Sequence, residues 1–405
     1  MSQEYAYLAL IFTLVVVPRV LQRFRIPGAL TSFALGMAAM LFFDESGSHG
    51  TLALLAMLGI SSLFLFAGLE IELADLRRSA WALVTHVGVR LLTVAGSAYL
   101  AMRFLGFEWR PAVLLALALL TPSTGFILES LPGLGLDESE RYWVRVKAIA
   151  GELFALVVLF FVLQSESVPT LVGSTLALAA LGAAIPALFL VLARYVIPYA
   201  SGSEFSLLVM VGVVAAVATN QIGVYYLVGA FLVGFVAKLL NGRIPSLAGE
   251  ENLHAIKMFA SFFVPIYFFH KGTSVPAGAL SFEALLIGAS ITLVVLPARI
   301  GVVWVQRRFI QEESAMGSLR VAAALTPTLI FALVIAGILR ERFGIPDALY
   351  GGLLIYAAIS TALPSLVLAR TIDFAVPVSH DGSGAAGQAP PAKAAGGDDA
   401  AQAPR

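Results

Sequence analysis

Apolar runs close to the length of a membrane-spanning helix recur along this chain from its N-terminus to about residue 370. A helix needs roughly 20 consecutive apolar residues to cross a bilayer, and only structures whose backbone groups are paired internally can do so. Of the 405 residues, 59% are hydrophobic and 12% are charged, and that charged fraction is about half that of an ordinary soluble domain. The sequence therefore predicts an all-α polytopic membrane protein.

The apolar runs predict about thirteen transmembrane helices, with no aqueous linker between them long enough to separate two domains. We expect residues 1–372 to form one transmembrane domain. Residues 373–405 are rich in Gly, Ala and Pro and cannot form a core, so they are predicted to be a disordered cytoplasmic tail. The predicted spans are roughly 4–22, 27–43, 51–69, 80–104, 111–130, 142–164, 168–198, 204–220, 223–240, 253–270, 280–305, 317–340 and 346–370.

Basic residues predict the orientation of the chain, because cytoplasmic loops carry an excess of Lys and Arg. If the N-terminus is outside, fifteen basic residues fall in loops on the cytoplasmic side and five in loops on the outer side. Lys147, Arg307 and Arg320 are among the fifteen. We therefore expect the N-terminus outside and the C-terminus in the cytoplasm.

A Thr-Pro pair lies in the middle of two separate apolar spans, in LLTPSTGF at 119–126 and in ALTPTLIF at 324–331. Proline removes a backbone donor from a helix, so both spans are predicted to be broken. They are the fifth and twelfth spans and therefore cross the membrane in opposite directions. Such a pair indicates an inverted-topology repeat whose broken helices cross near the midplane. The alternative is a chance match between two proline-containing spans.

Span six places Glu152 near the centre of the bilayer, well away from Tyr142 and Gln164 at its two ends. An ionisable side chain at that depth costs about 2.5–3.5 kcal/mol on insertion scales and is a functional candidate for that reason. A carboxylate there can hold either a proton or a cation. The alternative is a structural ion pair with a buried arginine.

Arginines also fall inside the predicted spans. Arg299 in span eleven needs a partner, because an unpaired buried guanidinium is too unfavourable. We expect it to bind either Glu152 or the carbonyls that the broken helices expose. Arg90 in span four is a second cation, and Glu129 is either its partner or an interfacial residue.

The two broken helices offer oxygen ligands for a cation. Carbonyls freed before Pro122 and Pro327, together with nearby hydroxyls, are hard ligands that suit Na⁺, K⁺ or Li⁺ better than a transition metal. The predicted site for a monovalent metal cation or a proton therefore combines the Glu152 carboxylate with the hydroxyls of Thr121, Ser123, Thr124, Thr326 and Thr328.

Other classes of function find no support in the sequence. There are no cysteines, which excludes disulfides, thiolate catalysis and Cys-based metal sites. The motifs HExxH, GxSxG in a suitable context and the Walker-type loop do not occur, so nothing favours a hydrolase or an ATP-driven pump. The formal net charge is zero, which gives no reason to expect nucleic acid as a partner. We expect neither an enzyme nor a cofactor other than the transported ions.

Five stretches carry a resemblance to a known family. They are RFRIPGALTSFALGM at 23–37, LFLFAGLEIEL at 63–73, TPSTGFIL at 121–128, AGELFALVV at 150–158 and GVYYLVGAFLVGFVAKLL at 223–240. In their order and spacing the sequence resembles the monovalent cation:proton antiporter-2 family, which includes bacterial sodium/proton exchangers and potassium-efflux proteins. The resemblance runs from about residue 5 to residue 370.

The resemblance implies a sodium/proton antiporter fold of thirteen helices, with a mobile core domain and a dimerisation domain. It implies a homodimer in the bacterial inner (plasma) membrane that exchanges Na⁺ or K⁺ for H⁺ by elevator-like alternating access and serves pH homeostasis. Glu152 takes the place of the acidic carrier and Arg299 that of the basic residue in the facing helix. Residues 121–124 and 326–328 take the places of the crossing broken segments.

Two positions depart from the family pattern. Electrogenic members usually have two adjacent acids in span six, whereas this chain has Gly151 followed by Glu152. Many relatives have a Gly-Glu-Phe stretch in span twelve, whereas Leu329 and Ile330 precede Phe331 here. A single acid favours electroneutral exchange of one cation for one proton. The same departures suggest, as the alternative, a non-transporting sensor or regulatory membrane protein on the antiporter fold.

Overall fold

The computed structural model describes residues 3–42, 49–200 and 202–368. These residues form sixteen α-helices joined by short turns, and no strand occurs among them. The helices are α1 (Gln3–Gln22), α2 (Gly28–Phe42), α3 (His49–Leu69), α4 (Leu73–Arg78), α5 (Ala80–Leu105), α6 (Trp109–Leu120), α7 (Thr124–Ser130), α8 (Glu138–Gln164), α9 (Val168–Tyr195), α10 (Glu204–Gln221), α11 (Tyr226–Leu239), α12 (Glu250–Thr273), α13 (Phe282–Val305), α14 (Ala315–Ala324), α15 (Leu329–Phe343) and α16 (Asp347–Val367).

Within the described ranges, nine helical segments are long and apolar enough to cross a membrane, or ten if α14 and α15 together form one bent span. Three shorter apolar helices accompany them, at Leu8–Gln22, Gly28–Met40 and Tyr226–Gly242. The prediction of an all-α polytopic membrane protein is confirmed. A count of thirteen requires all three shorter helices to cross as well, so that number stays a prediction. The predicted boundary at residue 372 and the tail at 373–405 lie outside the described residues.

The helices repeat the same arrangement in two halves, α1–α8 and α10–α16, which α9 connects. Helix α2 packs on α12 and α3 packs on α11, so the second helix of each half contacts the third helix of the other half. Helix α5 packs on α6 and α8, as α13 packs on α14 and α16. A broken helix occupies the fifth place in both halves. This is the inverted repeat that the two Thr-Pro pairs predict.

Two glycine pairs allow the halves to approach each other closely at equivalent places. A Cβ atom on Gly36 of α2 or on Gly272 of α12 would collide with the backbone of the opposite helix. The same is true of Gly68 in α3 and Gly234 in α11. Small residues let membrane helices pack backbone against backbone. The equivalence extends to the sequence, since FALG at 33–36 and FLVG at 231–234 both end on the glycine of such a pair.

The interrupted helices lie among α5, α8, α13 and α16. The first interruption covers residues 121–123, between α6 and α7, and the second covers residues 325–328, between α14 and α15. Helices α14 and α15 are bent by 48° at their break. Pro122 and Pro327 both lie within the interruptions, where a missing backbone N–H and a fixed φ end a helix. These two breaks are called the first break and the second break below.

Candidate functional site

The first and second breaks are directly hydrogen-bonded to each other. The backbone N–H of Ser123 donates to the carbonyl of Pro327 at 2.8 Å. The Ser123 hydroxyl accepts from the backbone N–H of Ile330 at 3.0 Å. Helix ends expose backbone groups that need partners when they are buried, and each break supplies partners for the other. The predicted crossing of two broken helices is confirmed, and Ser123 holds the two breaks together there.

Glu152 lies in α8 beside the first break and is only 3% exposed. Thr124, the first residue of α7, is close enough for its backbone N–H and its hydroxyl to interact with the carboxylate. Nevertheless, Oε2 of Glu152 and the hydroxyls of Thr121 and Thr124 are buried without a hydrogen-bond partner in the described structure. Buried polar oxygens are rarely left unpaired. A cation bound at Glu152, or a proton on its carboxylate, would give these buried oxygens a partner.

Arg299 of α13 binds the second break rather than Glu152. Its guanidinium donates to the carbonyls of Leu325 at 3.2 Å and Thr326 at 3.0 Å. It also donates to the Tyr356 hydroxyl at 2.8 Å, which in turn donates to the carbonyl of Leu119 at 2.6 Å. The carbonyl end of a helix carries partial negative charge. Of the two partners expected for Arg299, the structure therefore gives it the broken-helix carbonyls.

Arg90 of α5 has the equivalent role at the first break. Its Nη1 donates to the carbonyl of Leu120, the last residue of α6, at 2.9 Å. No ion pair among the described residues joins Arg90 to Glu129, and the Glu129 side chain is exposed. Gly151, which precedes Glu152 in the sequence, lies against the guanidinium of Arg90.

The hydroxyls of the second break are directed to α16, away from the first break. Thr326 donates to the carbonyls of Ala323 at 2.8 Å and Ser360 at 3.0 Å. The Thr328 and Ser360 hydroxyls lie 2.9 Å apart and share a hydrogen bond. Of the five hydroxyls predicted as cation ligands, Ser123, Thr326 and Thr328 therefore already have protein partners. The Thr121 hydroxyl has no partner in the described structure, and the Thr124 hydroxyl lies beside the Glu152 carboxylate without a hydrogen bond of normal geometry.

One part of the sequence prediction needs correction. We expected the carbonyls freed before Pro122 and Pro327 to be open to a cation. Instead, side chains and backbone N–H groups of the protein already bind several of them, because a buried helix end needs donors. The occupied carbonyls are those of Leu119, Leu120, Leu325, Thr326 and Pro327.

A buried polar cluster close to the site was not predicted. His86 of α5 and Lys147 of α8 both bond to Oε1 of Gln306, at 2.9 Å and 3.1 Å. All three side chains are at most 2% exposed. His86 lies one helical turn from Arg90 in α5, and Lys147 lies one turn from Gly151 in α8, so the cluster is the next layer below the Arg90 contact. The spacing of four residues between His86 and Arg90, and between Lys147 and Gly151, is the feature of the sequence that could have predicted this cluster.

The neighbouring Arg307 is 1% exposed, lies 5.5 Å from the Trp143 ring centre and pairs with Glu313 at 3.6 Å. It follows Gln306 in a π-helical turn at the end of α13. We counted Lys147 and Arg307 as charges of cytoplasmic loops, and that placement was wrong. Lys147 is bonded to Gln306, and Arg307 contacts Glu313 and the Trp143 ring, so both side chains have partners inside the protein.

The described residues contain no group of three or more His, Asp or Glu side chains that could hold a metal ion. A cation at Glu152 would therefore have a single carboxylate and neutral oxygens as ligands. Such a low ligand charge suits a monovalent ion better than Mg²⁺ or Ca²⁺, which take several carboxylates or phosphate groups.

Comparison with known proteins gives consistent results. The model of the sodium/hydrogen exchanger transmembrane family matches residues 9–373. The probable Na(+)/H(+) antiporter 3 of Methanocaldococcus jannaschii is 27% identical over 284 residues, which are 67% of this chain and 71% of the relative.

Two solved structures of the sodium proton antiporter MjNhaP1 from Methanocaldococcus jannaschii are similar to this chain. The structure at pH 8 has a TM-score of 0.66 at 14% identity, and the electron-microscopy structure has a TM-score of 0.53 at 16% identity. Each similarity covers 91% of this chain and 96% of the other. At these identities the likeness concerns the fold, and it confirms the predicted sodium/proton antiporter fold.

The comparisons support the broader family, and the narrower antiporter-2 branch stays a prediction. The family consists of transporters and not of enzymes, and its members are multi-pass membrane proteins. Because the family model covers nearly the whole helical part, the chain belongs to the sodium/hydrogen exchanger family.

Proposed function

We propose that this chain is a secondary active antiporter that exchanges a monovalent cation for H⁺, with Glu152 as the site that both ions share. The observation that carries the proposal is the buried Oε2 of Glu152, left without a partner beside the break that holds the free hydroxyls of Thr121 and Thr124. Na⁺ is the first candidate because the relatives are named for Na⁺/H⁺ antiport. K⁺ is the second.

Competition at one carboxylate is sufficient to couple the two fluxes. A protonated Glu152 lacks the negative charge that a cation needs, and a cation bound to the carboxylate excludes the proton. If only the loaded carboxylate crosses between the two sides, each cation moved in one direction returns one proton in the other. The exchange is then electroneutral, because both loaded forms of Glu152 have the same net charge.

The crossing of the broken helices suits an elevator-like movement. The hydrogen bonds of Ser123 tie the first break to the second, so the two can move as one body that carries Glu152 with it. The glycine-paired helices α2, α3, α11 and α12 would form the scaffold, and a homodimer would hold that scaffold in the lipid bilayer. The distribution of basic residues supports an N-terminus outside and a C-terminus in the cytoplasm, and the family resemblance supports a location in a bacterial inner membrane.

The proposal can be tested in proteoliposomes with an acidic interior and an internal pH dye. Adding Na⁺, K⁺ or Li⁺ outside should raise the internal pH for one of these cations and so identify the substrate. Clamping the membrane potential should leave the rate unchanged. A rate that follows the potential would contradict electroneutral exchange while preserving antiport.

The second candidate is a non-transporting sensor or regulatory membrane protein on the same fold. The absence of an acid at Gly151 and before Phe331 favours it. In that case folded, inserted protein would bind a cation without moving protons in response to any of the three.

A further inference from the structure

The space that a side chain at position 151 would fill is occupied by Arg90. A Cβ atom built on Gly151 would lie 2.9 Å from Nε, 3.0 Å from Cζ and 3.1 Å from Nη2 of that arginine. The shortest of these distances is below what real Cβ atoms show and the other two are tight, so the end of the flexible Arg90 side chain would have to shift to admit a Cβ atom. The flat guanidinium therefore lies against the backbone of α8, directly before Glu152. Neither an acid nor even alanine fits at position 151 unless Arg90 moves.

The same guanidinium fixes the end of α6. Its bond to the carbonyl of Leu120 holds the residue that directly precedes Thr121. Thr121 is one of the two threonines whose buried hydroxyls have no partner. Arg90 thus connects three elements of the site, because its own helix α5 is held to the first break and to the turn of α8 that carries Glu152.

Arg90 and Arg299 also stand in equivalent places of the inverted repeat. Leaving aside the short α4, they belong to the fourth helices of their halves, α5 and α13. Arg90 binds the carbonyl of the residue just before the first break, and Arg299 binds the carbonyls of the first two residues of the second break. Arg299 binds two such carbonyls and the Tyr356 hydroxyl, whereas Arg90 binds one carbonyl and lies on Gly151. The Nε of Arg90, next to Gly151, is buried without a hydrogen-bond partner in the described structure.

We propose that Arg90 is a positioning residue for the cation site. Position 151 is glycine so that the guanidinium of Arg90 can lie between α8 and the first break. This inference rests on the proposed function. It also gives the departure from the two-acid pattern a structural reason. An acid is absent at position 151 because Arg90 occupies the space that its side chain would need. The absence of the acid therefore does not require a loss of transport activity.

A thermal-stability cycle tests the contact without requiring transport. Alanine normally stabilises a helix relative to glycine, but Gly151→Ala should lower Tm because its Cβ displaces Arg90. In the Arg90→Ala background the same change should raise Tm or leave it unchanged. Gly96→Ala, in open space on α5, is the matched control and should not lower Tm in either background. A Tm loss from Gly151→Ala that persists without Arg90 would overturn the contact.

The positioning role is tested by Na⁺ affinity, measured as Kd for binding and as KM for exchange. Small displacements at a site can change its function by roughly tenfold or more, so Arg90→Ala and Gly151→Ala should each raise both constants about tenfold. The double variant should be no worse than Arg90→Ala alone. Arg90→Lys keeps one donor and should remain closer to the wild type. Arg103→Gln, exposed at the end of α5, should have no effect.

The outcomes separate the two proposals. Wild-type exchange with unchanged Kd and KM in Arg90→Ala would overturn the positioning role and leave the proposed function intact. Wild-type protein that neither binds nor exchanges a cation would overturn the proposed function and the positioning role with it, while the Tm cycle would still decide the Arg90–Gly151 contact.

Discussion

The first and second breaks have the same architecture and different uses. Both contain a Thr-Pro pair, and both have an arginine bound to backbone carbonyls just before the proline. In the second break, Arg299 and α16 occupy the carbonyls and the threonine hydroxyls. In the first break, two threonine hydroxyls stay free beside the only carboxylate at the crossing within the described residues. The comparison teaches that two equivalent breaks can differ in use: under the proposed function, the first break forms the cation site and the second supports it.

The largest effect should come from removing the charge at the first break. Glu152→Gln keeps the shape of the side chain and cannot alternate between proton and cation, so exchange should fall at least about a hundredfold, as expected when the carrying group itself is lost. Glu138→Gln, exposed in the first turn of the same helix, is the control and should exchange normally. The measurement is cation-driven pH change in proteoliposomes.

The next largest effect should be a loss of stability at the second break. Arg299→Ala leaves the carbonyls of Leu325 and Thr326 without their donor. Each buried group left unpaired costs about 1–3 kcal/mol, so Tm should fall clearly below that of the wild type. An unchanged Tm would mean that the second break does not depend on this arginine. Arg340→Ala removes a surface pair with Asp347 and should lower Tm much less.

The pH dependence should reveal a single titrating carboxylate. Lower pH favours the protonated form of Glu152, which cannot bind the cation, so the apparent KM for Na⁺ must rise as pH falls. With one competing proton, the rise approaches about tenfold per pH unit in the acidic range. A slope near a hundredfold per unit would indicate two coupled protons and would contradict a site with one acid. Initial exchange rates measured against Na⁺ at several pH values give the slope.

The smallest effects should separate the two breaks most cleanly. Thr124→Val and Thr328→Val remove a hydroxyl while keeping the branched shape. Because the Thr124 hydroxyl is free and the Thr328 hydroxyl is bonded to Ser360, the first change should raise KM several-fold with little change in Tm. The second should lower the free energy of unfolding by about 1 kcal/mol, and Tm with it, with a smaller change in KM. The reverse pattern would show that the assignment of the two breaks is inverted.

The sequence alone predicted the features that depend on local pattern. Helix ends lie close to the predicted span ends, both breaks occur at their prolines, and Glu152 is buried as its central position implied. These results follow from apolar length, from proline chemistry and from the depth of a charge in the membrane. Local pattern left two partners open for Arg299, and the structure selects the broken-helix carbonyls.

The features that the sequence did not reveal depend on contacts between distant segments. Thr124 and Thr328 stand close to similar Thr-Pro pairs, and only packing against α16 decides which hydroxyl is occupied. Nothing near Gly151 in the sequence announces that a side chain of α5 fills its space. Lys147 was counted as a loop charge because its partner, Gln306, lies in the other half of the chain, and nothing near Lys147 in the sequence indicates that contact.

The most direct test of the shared site is proton release on cation binding by purified protein in a weakly buffered solution. Adding saturating Na⁺, or K⁺ if that is the substrate, should release protons from the wild type and from Glu138→Gln, up to one for each bound cation. Glu152→Gln should release none. Cation binding without proton release, or release that persists in folded Glu152→Gln, would contradict the claim that one carboxylate holds both ions.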